Sequence, residues 1–179
     1  MNITQKIEWC IEQHKKTNHK YDEYLEYEFH LKMASNVCKD FMHLLPNLNN
    51  SETSLKDAVL LATWGHDLIE DTRVSYNDVK QELGHSAADI IYAVTNEKGK
   101  NRKERANTKY YDGIRETPGA VFVKLCDRIA NVQYGSMTKS RMVEMYRKEN
   151  GYFEKALGRY TDYKHLEPMF VELDKILGL

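Results

Sequence analysis

The chain has 179 residues, enough to bury one sizeable core, and its 26 Lys and Arg nearly balance its 27 Asp and Glu. A formal net charge of −1 provides no overall field to draw in nucleic acid or an anionic membrane, so neither is expected as a partner. The three cysteines, Cys10, Cys38 and Cys126, form no CxxC pair and suit reduced, buried thiols in a cytoplasmic protein better than a disulfide framework or a structural zinc.

Few prolines and glycines among abundant Glu, Lys, Leu and Ala predict helix throughout. The first helix is expected over 2–16, where Glu8 interrupts any signal-like apolar core. After a loop around 17–25, a helix over 28–45 carries an apolar line of Met33, Ala34, Val37, Cys38 and Phe41, which sets His30 on the buried face. Pro46 to Thr53, rich in Asn and Ser, reads as a loop. Ser54 stands three residues before Asp57 and marks the start of a helix over 54–70. This helix contains the longest apolar run, Ala58 to Trp64, far short of a membrane span.

Ser75 with Asp78 starts a helix over 76–83 that Gly84 ends, and Ser86 with Asp89 starts another over 86–96. A loop at 97–100 precedes a helix over 101–114. Pro118-Gly119 breaks the chain before helices over 119–135, 141–158 and 162–177. No period-two segment bounded by turns suggests a hairpin, so the expected class is all-α, a single domain over 1–179.

Chemistry concentrates in Gly65-His66-Asp67-Leu68-Ile69-Glu70-Asp71-Thr72. On one helix, His66 with Glu70 and Asp67 with Asp71 are i,i+4 pairs on one surface. Three carboxylates so placed repel, and near a helix C-terminus the macrodipole opposes them further, so a divalent cation is the simplest offset. Taken singly, each residue has an ordinary reading. An acidic helix end stays solvated, a buried His30 bonds a carbonyl or water, and Asp127 pairs with Lys124 or Arg128 at the surface. Taken together, His30, His66, Asp67 and Asp127 form a nitrogen–oxygen set suited to one Mn, Fe or Zn ion inside a helical bundle.

The stretch from His66 to Thr72 resembles the "HDxxEDT" element of the HD superfamily, and within it the hydrolase domain of RelA/SpoT-type alarmone enzymes. Tyr76 to Gly84 is similar to the "YxDVxxxxG" helix that follows there, and Val123 to Asn131 to "VKLADRLxN". The resemblance spans about 8–157, leaving a C-terminal helix over 162–177. It implies a helical HD-domain bundle in which His30, His66, Asp67 and Asp127 bind one divalent metal, usually manganese. Glu70 and Asp71 match the catalytic acidic pair beside the nucleophilic water. The resemblance further implies substrate contacts from Lys20, Arg102, Asn131 and Lys148, and from Tyr152 in a late Tyr152-Phe153-Glu154 segment. Two positions depart from the family pattern: Leu31 stands where a proline usually follows the first histidine, and Gly65 replaces a bulky apolar residue.

The implied activity is metal-dependent phosphohydrolysis, with guanosine 3′,5′-bis(diphosphate) cleaved at the 3′ position to release pyrophosphate. With no synthetase segment after it, hydrolysis alone is expected. Related HD proteins act on deoxynucleotides or on NADPH, and a catalytically silent nucleotide-binding HD domain is the reading of another class.

Overall fold

Helix starts are set by side chains that satisfy the first free amides. In the computed structural model, which describes residues 1–46, 49–50 and 53–179, helix α1 (Ile3–Lys16) opens on a capping box. Asn2 accepts from the Gln5 amide, and the Gln5 side chain accepts from the Asn2 amide. Helix α2 (Glu28–Phe41) turns His30, Leu31, Ala34, Val37 and Cys38 inward and tightens into a 3₁₀ turn at Met42–Leu44. Two short strands, β1 (Asn49–Asn50) and β2 (Thr53–Ser54), pair antiparallel within the stretch expected to be loop. That expectation covered Pro46 to Thr53, and its residues 47–48 and 51–52 lie outside the described residues.

Helix α3 (Leu55–Gly65) starts as its spacing predicts, with Ser54 Oγ accepting from the Asp57 amide at 3.1 Å. Helix α4 (Leu68–Asp71) follows after two residues, then α5 (Tyr76–Leu83), capped reciprocally by Ser75 and Asp78. The expected Ser86 cap does not form. Gly84 adopts φ +101°, a conformation open to glycine, and helix α6 (His85–Val94) begins directly after it. Asp89 is free for other partners: the Tyr76 hydroxyl donates to it at 2.7 Å, and His85 Nδ1 lies 2.8 Å away.

The helix expected over 101–114 is two helices, α7 (Arg102–Arg105) and α8 (Thr108–Glu116), because Asn101 and Asn107 each cap their own. Helix α9 (Ala120–Thr138) runs three residues past its expected end at 135 and stops where Lys139 turns left-handed. Helices α10 (Met142–Ala156) and α11 (Glu167–Leu177) close the chain, the latter with Pro168 in its first turn and a 3₁₀ turn at Lys164–Leu166 before it.

Helix α9 is the hub, packed on by α2, α3, α6, α8, α10 and α11. Its Phe122, Leu125, Ile129 and Val132 share one buried apolar core with Leu31 and Val37 of α2 and Leu61 and Ala62 of α3. All three cysteines are free and buried. Beside this core a single guanidinium ties the end of α10 to α11: Arg159 Nη1 lies 2.6 Å from Glu154 and 2.7 Å from Asp174, and its Nη2 lies 2.7 Å from Glu167. No helix among the described residues is long and apolar enough to cross a membrane.

Candidate active site

The helix expected over 54–70 breaks at His66-Asp67. The His66 Nδ1–H donates to the Thr63 carbonyl at 2.9 Å, the acceptor that the Asp67 amide would use in an unbroken helix. This corrects the macrodipole argument: Glu70 and Asp71 sit on a separate short turn, not at the end of a long helix. Gly65 lets Ile91 and Leu68 pack closely at the break. A Cβ there would lie 2.7 Å from Ile91 Cδ1 and 3.1 Å from Leu68 Cδ1, so a larger residue requires those side chains to shift.

With Nδ1 engaged, His66 turns Nε2 towards α2 and α9. His30 Nε2 lies 3.2 Å from His66 Nε2 and 3.4 Å from Asp127 Oδ1, and the third side, His66 Nε2 to Asp127 Oδ1, is 3.6 Å. Ligands held ~2.0–2.2 Å from one ion stand roughly 3–3.5 Å apart, so this triangle has the dimensions of a metal-binding face. Two buried imidazoles and a carboxylate converging in this way form a group able to hold a metal ion. Asp67 stands alongside, its Oδ2 2.9 Å from His66 Nε2 and accepting from the Tyr27 hydroxyl.

Supporting contacts orient the donors, as outer partners do in metal sites. Lys124 Nζ lies 3.0 Å from Asp127 Oδ2, and Asn131 Nδ2 donates to Asp127 Oδ1 at 2.5 Å. The Tyr21 hydroxyl donates to Asn131 Oδ1 at 2.9 Å, while the Tyr21 ring stacks on His30 with centroids 4.7 Å apart.

Electrostatics follow from this crowding. Burial opposes charge on His66, but Asp67 and Asp127 outweigh it and raise the imidazole well above its ordinary value. Burial likewise pushes Asp67 up, and the facing His66 outweighs it, holding the carboxyl below the usual range. For Asp127 the counterweights to burial are Lys124, then the two imidazoles. For Asp71 the relief from His66 is too small: burial first, then the charges of Asp67 and Glu70, push it up to about 7.

Asp67 and Asp127 open onto a cavity of about 740 Å³ whose wall includes Glu70, Asp71, Arg102, Lys124, Arg128 and Tyr152. A second, wider groove of about 1390 Å³ adjoins it across Glu70, Asn96, Arg105 and Tyr110, but holds none of the converging donors.

Comparisons bear on this geometry. No family model matches the chain. Guanosine-3′,5′-bis(diphosphate) 3′-pyrophosphohydrolase MESH1 of Drosophila melanogaster is 29% identical over 77 residues, 43% of either chain. Human MESH1 is 30% identical over 83 residues, 46% of either chain, so the matched stretch spans less than half the length of these curated relatives. A solved structure described as a metazoan ortholog of SpoT that hydrolyzes ppGpp superposes with a TM-score of 0.69 at 18% identity, covering 98% of this chain and 93% of that one. The chain shares the fold of that SpoT ortholog. In this fold, α2, the α3–α4 break and α9 bring His30, His66, Asp67 and Asp127 together.

The other expected residues divide. Glu70, Asp71, Arg102, Asn131, Lys148 and Tyr152 all line the cavity. Glu70 accepts from the Asn96 side chain at 3.0 and 3.1 Å, and the Asn131 amide is committed to Asp127 and Tyr21. Lys148 is well exposed, 3.7 Å from Glu144. Lys20 is not among the lining residues; it pairs with Glu26 across an isolated bridge before α2. Of the late Tyr152-Phe153-Glu154 segment, only Tyr152 and Phe153 reach the wall, since Glu154 turns to Arg159. The ordinary pairing of Asp127 with Lys124 is present together with the convergence, so the two readings do not exclude each other.

Sequence reasoning missed the aromatic and histidine layer behind the donors. His14 and His19 face each other Nδ1 to Nδ1 at 3.0 Å, and both rings stack on Tyr27, at 4.5 and 3.9 Å. Burial drives His14 down to about 3, so it stays neutral. The one available signal was the density of rings between positions 14 and 30, where His14, His19, Tyr21, Tyr24, Tyr27, Phe29 and His30 crowd together.

Proposed function

We propose that this chain is a metal-dependent phosphohydrolase that removes pyrophosphate from the 3′ position of guanosine 3′,5′-bis(diphosphate). The observation that carries the reading is the convergence of His30, His66 and Asp127 from separate elements, with Asp67 alongside, at the edge of a cavity with basic and aromatic walls. The similarity to MESH1 proteins supports the substrate.

His30 Nε2, His66 Nε2, Asp127 and Asp67 would hold the ion, with Mn the first candidate and Fe or Zn the others. When bound, a divalent ion there supplies Lewis acidity towards water and a phosphate oxygen. Asp71, on the cavity wall beside Asp67, is placed to take a proton from the attacking water. Glu70, held by Asn96, shares that acidic face. Lys124, Arg102 and Lys148 present positive charge to the phosphate chain, where positioning and charge stabilisation provide most of the rate. Three free buried thiols fit a reducing, cytoplasmic setting.

The test is a panel of nucleotides, including NADPH and deoxynucleoside monophosphates, incubated with Mn-loaded protein. The reading expects pyrophosphate from the alarmone well ahead of phosphate from the others. Faster phosphate release from NADPH would move the chain to another HD activity. Nucleotide binding with no turnover would make it a sensor.

A further inference from the structure

The cavity beside the converging side chains holds a second cluster, of which the proposed hydrolysis uses only Arg102. Arg128 is 6% exposed and lines the cavity, yet its Nη1 has no hydrogen-bond partner. Its guanidinium lies 4.5 Å from the Tyr146 ring centroid and 4.1 Å from that of Phe153. Arg102 approaches the same Tyr146 ring at 5.5 Å. Burial first, and then the neighbouring Arg102, disfavour the charge on Arg128. Two guanidinium groups sharing one aromatic ring form a receptor for an anion.

That receptor is taken. Glu149 of α10 places both carboxylate oxygens on Arg102 Nε, at 3.0 and 3.1 Å, and stands 3.8 Å from Arg128 Nη1. At 3.8 Å the contact to Arg128 is an ion pair without a hydrogen bond, so the buried guanidinium is only partly satisfied. A single carboxylate contributes one negative charge where two cations meet. A terminal phosphate carries more charge and three acceptor oxygens, enough to reach both groups.

We propose that Arg102 and Arg128 form an anion subsite for a phosphate group, and that Glu149 occupies it as a displaceable internal anion that selects ligands bearing a diphosphate. A monophosphate displaces the Glu149 carboxylate at little net gain. A diphosphate brings enough charge to satisfy both arginines and overcome the repulsion from Glu149. Resting on the nucleotide-hydrolase reading, the proposal makes Glu149 a specificity-determining residue of that site.

The test uses the full chain, freed of metal with EDTA, and calorimetric titration with inorganic pyrophosphate and inorganic phosphate. Glu149→Gln should tighten pyrophosphate binding by tenfold or more and phosphate binding by a larger factor, so that the preference for pyrophosphate narrows. Arg102→Gln, at a half-exposed position, should weaken pyrophosphate binding at least tenfold with the helical circular-dichroism spectrum unchanged. Arg128→Lys, which keeps the charge and loses the planar fork, should weaken it as well. Unchanged pyrophosphate affinity in Glu149→Gln, or in Arg102→Gln, would overturn the proposal. The readout is independent of turnover: tighter binding in Glu149→Gln from a chain that cleaves no alarmone would leave the subsite standing and remove the substrate assignment. Unchanged binding in a chain that does cleave it would do the reverse.

Discussion

Tyr27, just before the first turn of α2, donates its hydroxyl hydrogen to the carboxylate of Asp67, forty residues further along the chain. The hydroxyl is buried against a charge, and burial, then that charge, hold it protonated far above the ordinary phenol range. A hydrogen bond to a charged acceptor contributes about 1.5–3 kcal/mol. Tyr27→Phe should lose a comparable amount in urea unfolding while keeping the ring stack on His14 and His19. A variant as stable as the parent would mean the hydroxyl is unimportant to the position of Asp67.

Metal dependence should appear in stability as well as in rate. An ion that binds only the folded chain at 100 times its dissociation constant stabilises it by about 2.7 kcal/mol. Mn should therefore raise the Tm in proportion to the logarithm of its concentration, and EDTA should reverse the rise. Asp127→Asn should blunt this response, and Asp67→Asn should abolish turnover while its circular dichroism stays helical. Near-normal turnover in Asp67→Asn would remove that residue from the ligand set.

Asp71 gives a pH prediction. Folded and metal-free, it titrates at about 7 because burial, Asp67 and Glu70 oppose its charge, whereas an unfolded Asp gives up its proton near pH ~4. Stability linked to the bound proton is whole below about pH 4 and is lost as pH climbs to about 7. Asp71→Asn removes that loss. The Tm of the metal-free variant relative to the parent should rise between these limits and level off above them. A difference flat across the range would place the Asp71 titration elsewhere.

Packing at the break is equally testable. Gly65→Ala drives a methyl against Ile91 and Leu68, and overpacking of this kind costs typically about 1–3 kcal/mol. Adding Ile91→Val removes the Cδ1 methyl nearest the clash and should recover part of the loss. Failure of the double variant to recover would mean that Leu68 or the backbone yields instead.

Arg159→Met would strand Glu154 and Asp174 without their cation. Removing one partner of a buried pair costs about 3–5 kcal/mol. The deficit, followed by thermal unfolding, should shrink at acidic pH as the stranded carboxyls take up protons. A pH-independent deficit would point to the lost contact of the Arg159 guanidinium with the Phe170 ring.

Legibility in the sequence followed the range of the forces involved. Caps at Ser54 and Ser75 are local and were readable, as was the buried face of α2 with His30 on it. The false cap at Ser86 is local too, but Gly84 at φ +101° provides a competing route into α6 that no hydroxyl count reveals. The break after Gly65 was hidden because the i,i+4 spacing looks the same in a continuous helix. What separates the two cases is a ring nitrogen of His66 on the Thr63 carbonyl. Motif resemblance singled out four residues that the fold brings together. The roles of Arg128 and Glu149 depend on Tyr146 and Phe153 crossing from α10, a contact without a signature along the chain.

The donors that meet at His66 are separated widely in synthesis: His30 lies 36 residues before it, and Asp127 waits on α9. A ribosome completes the first two long before the third emerges. An ion held by all three would therefore be captured late in the life of the molecule, once α9 has docked into the bundle.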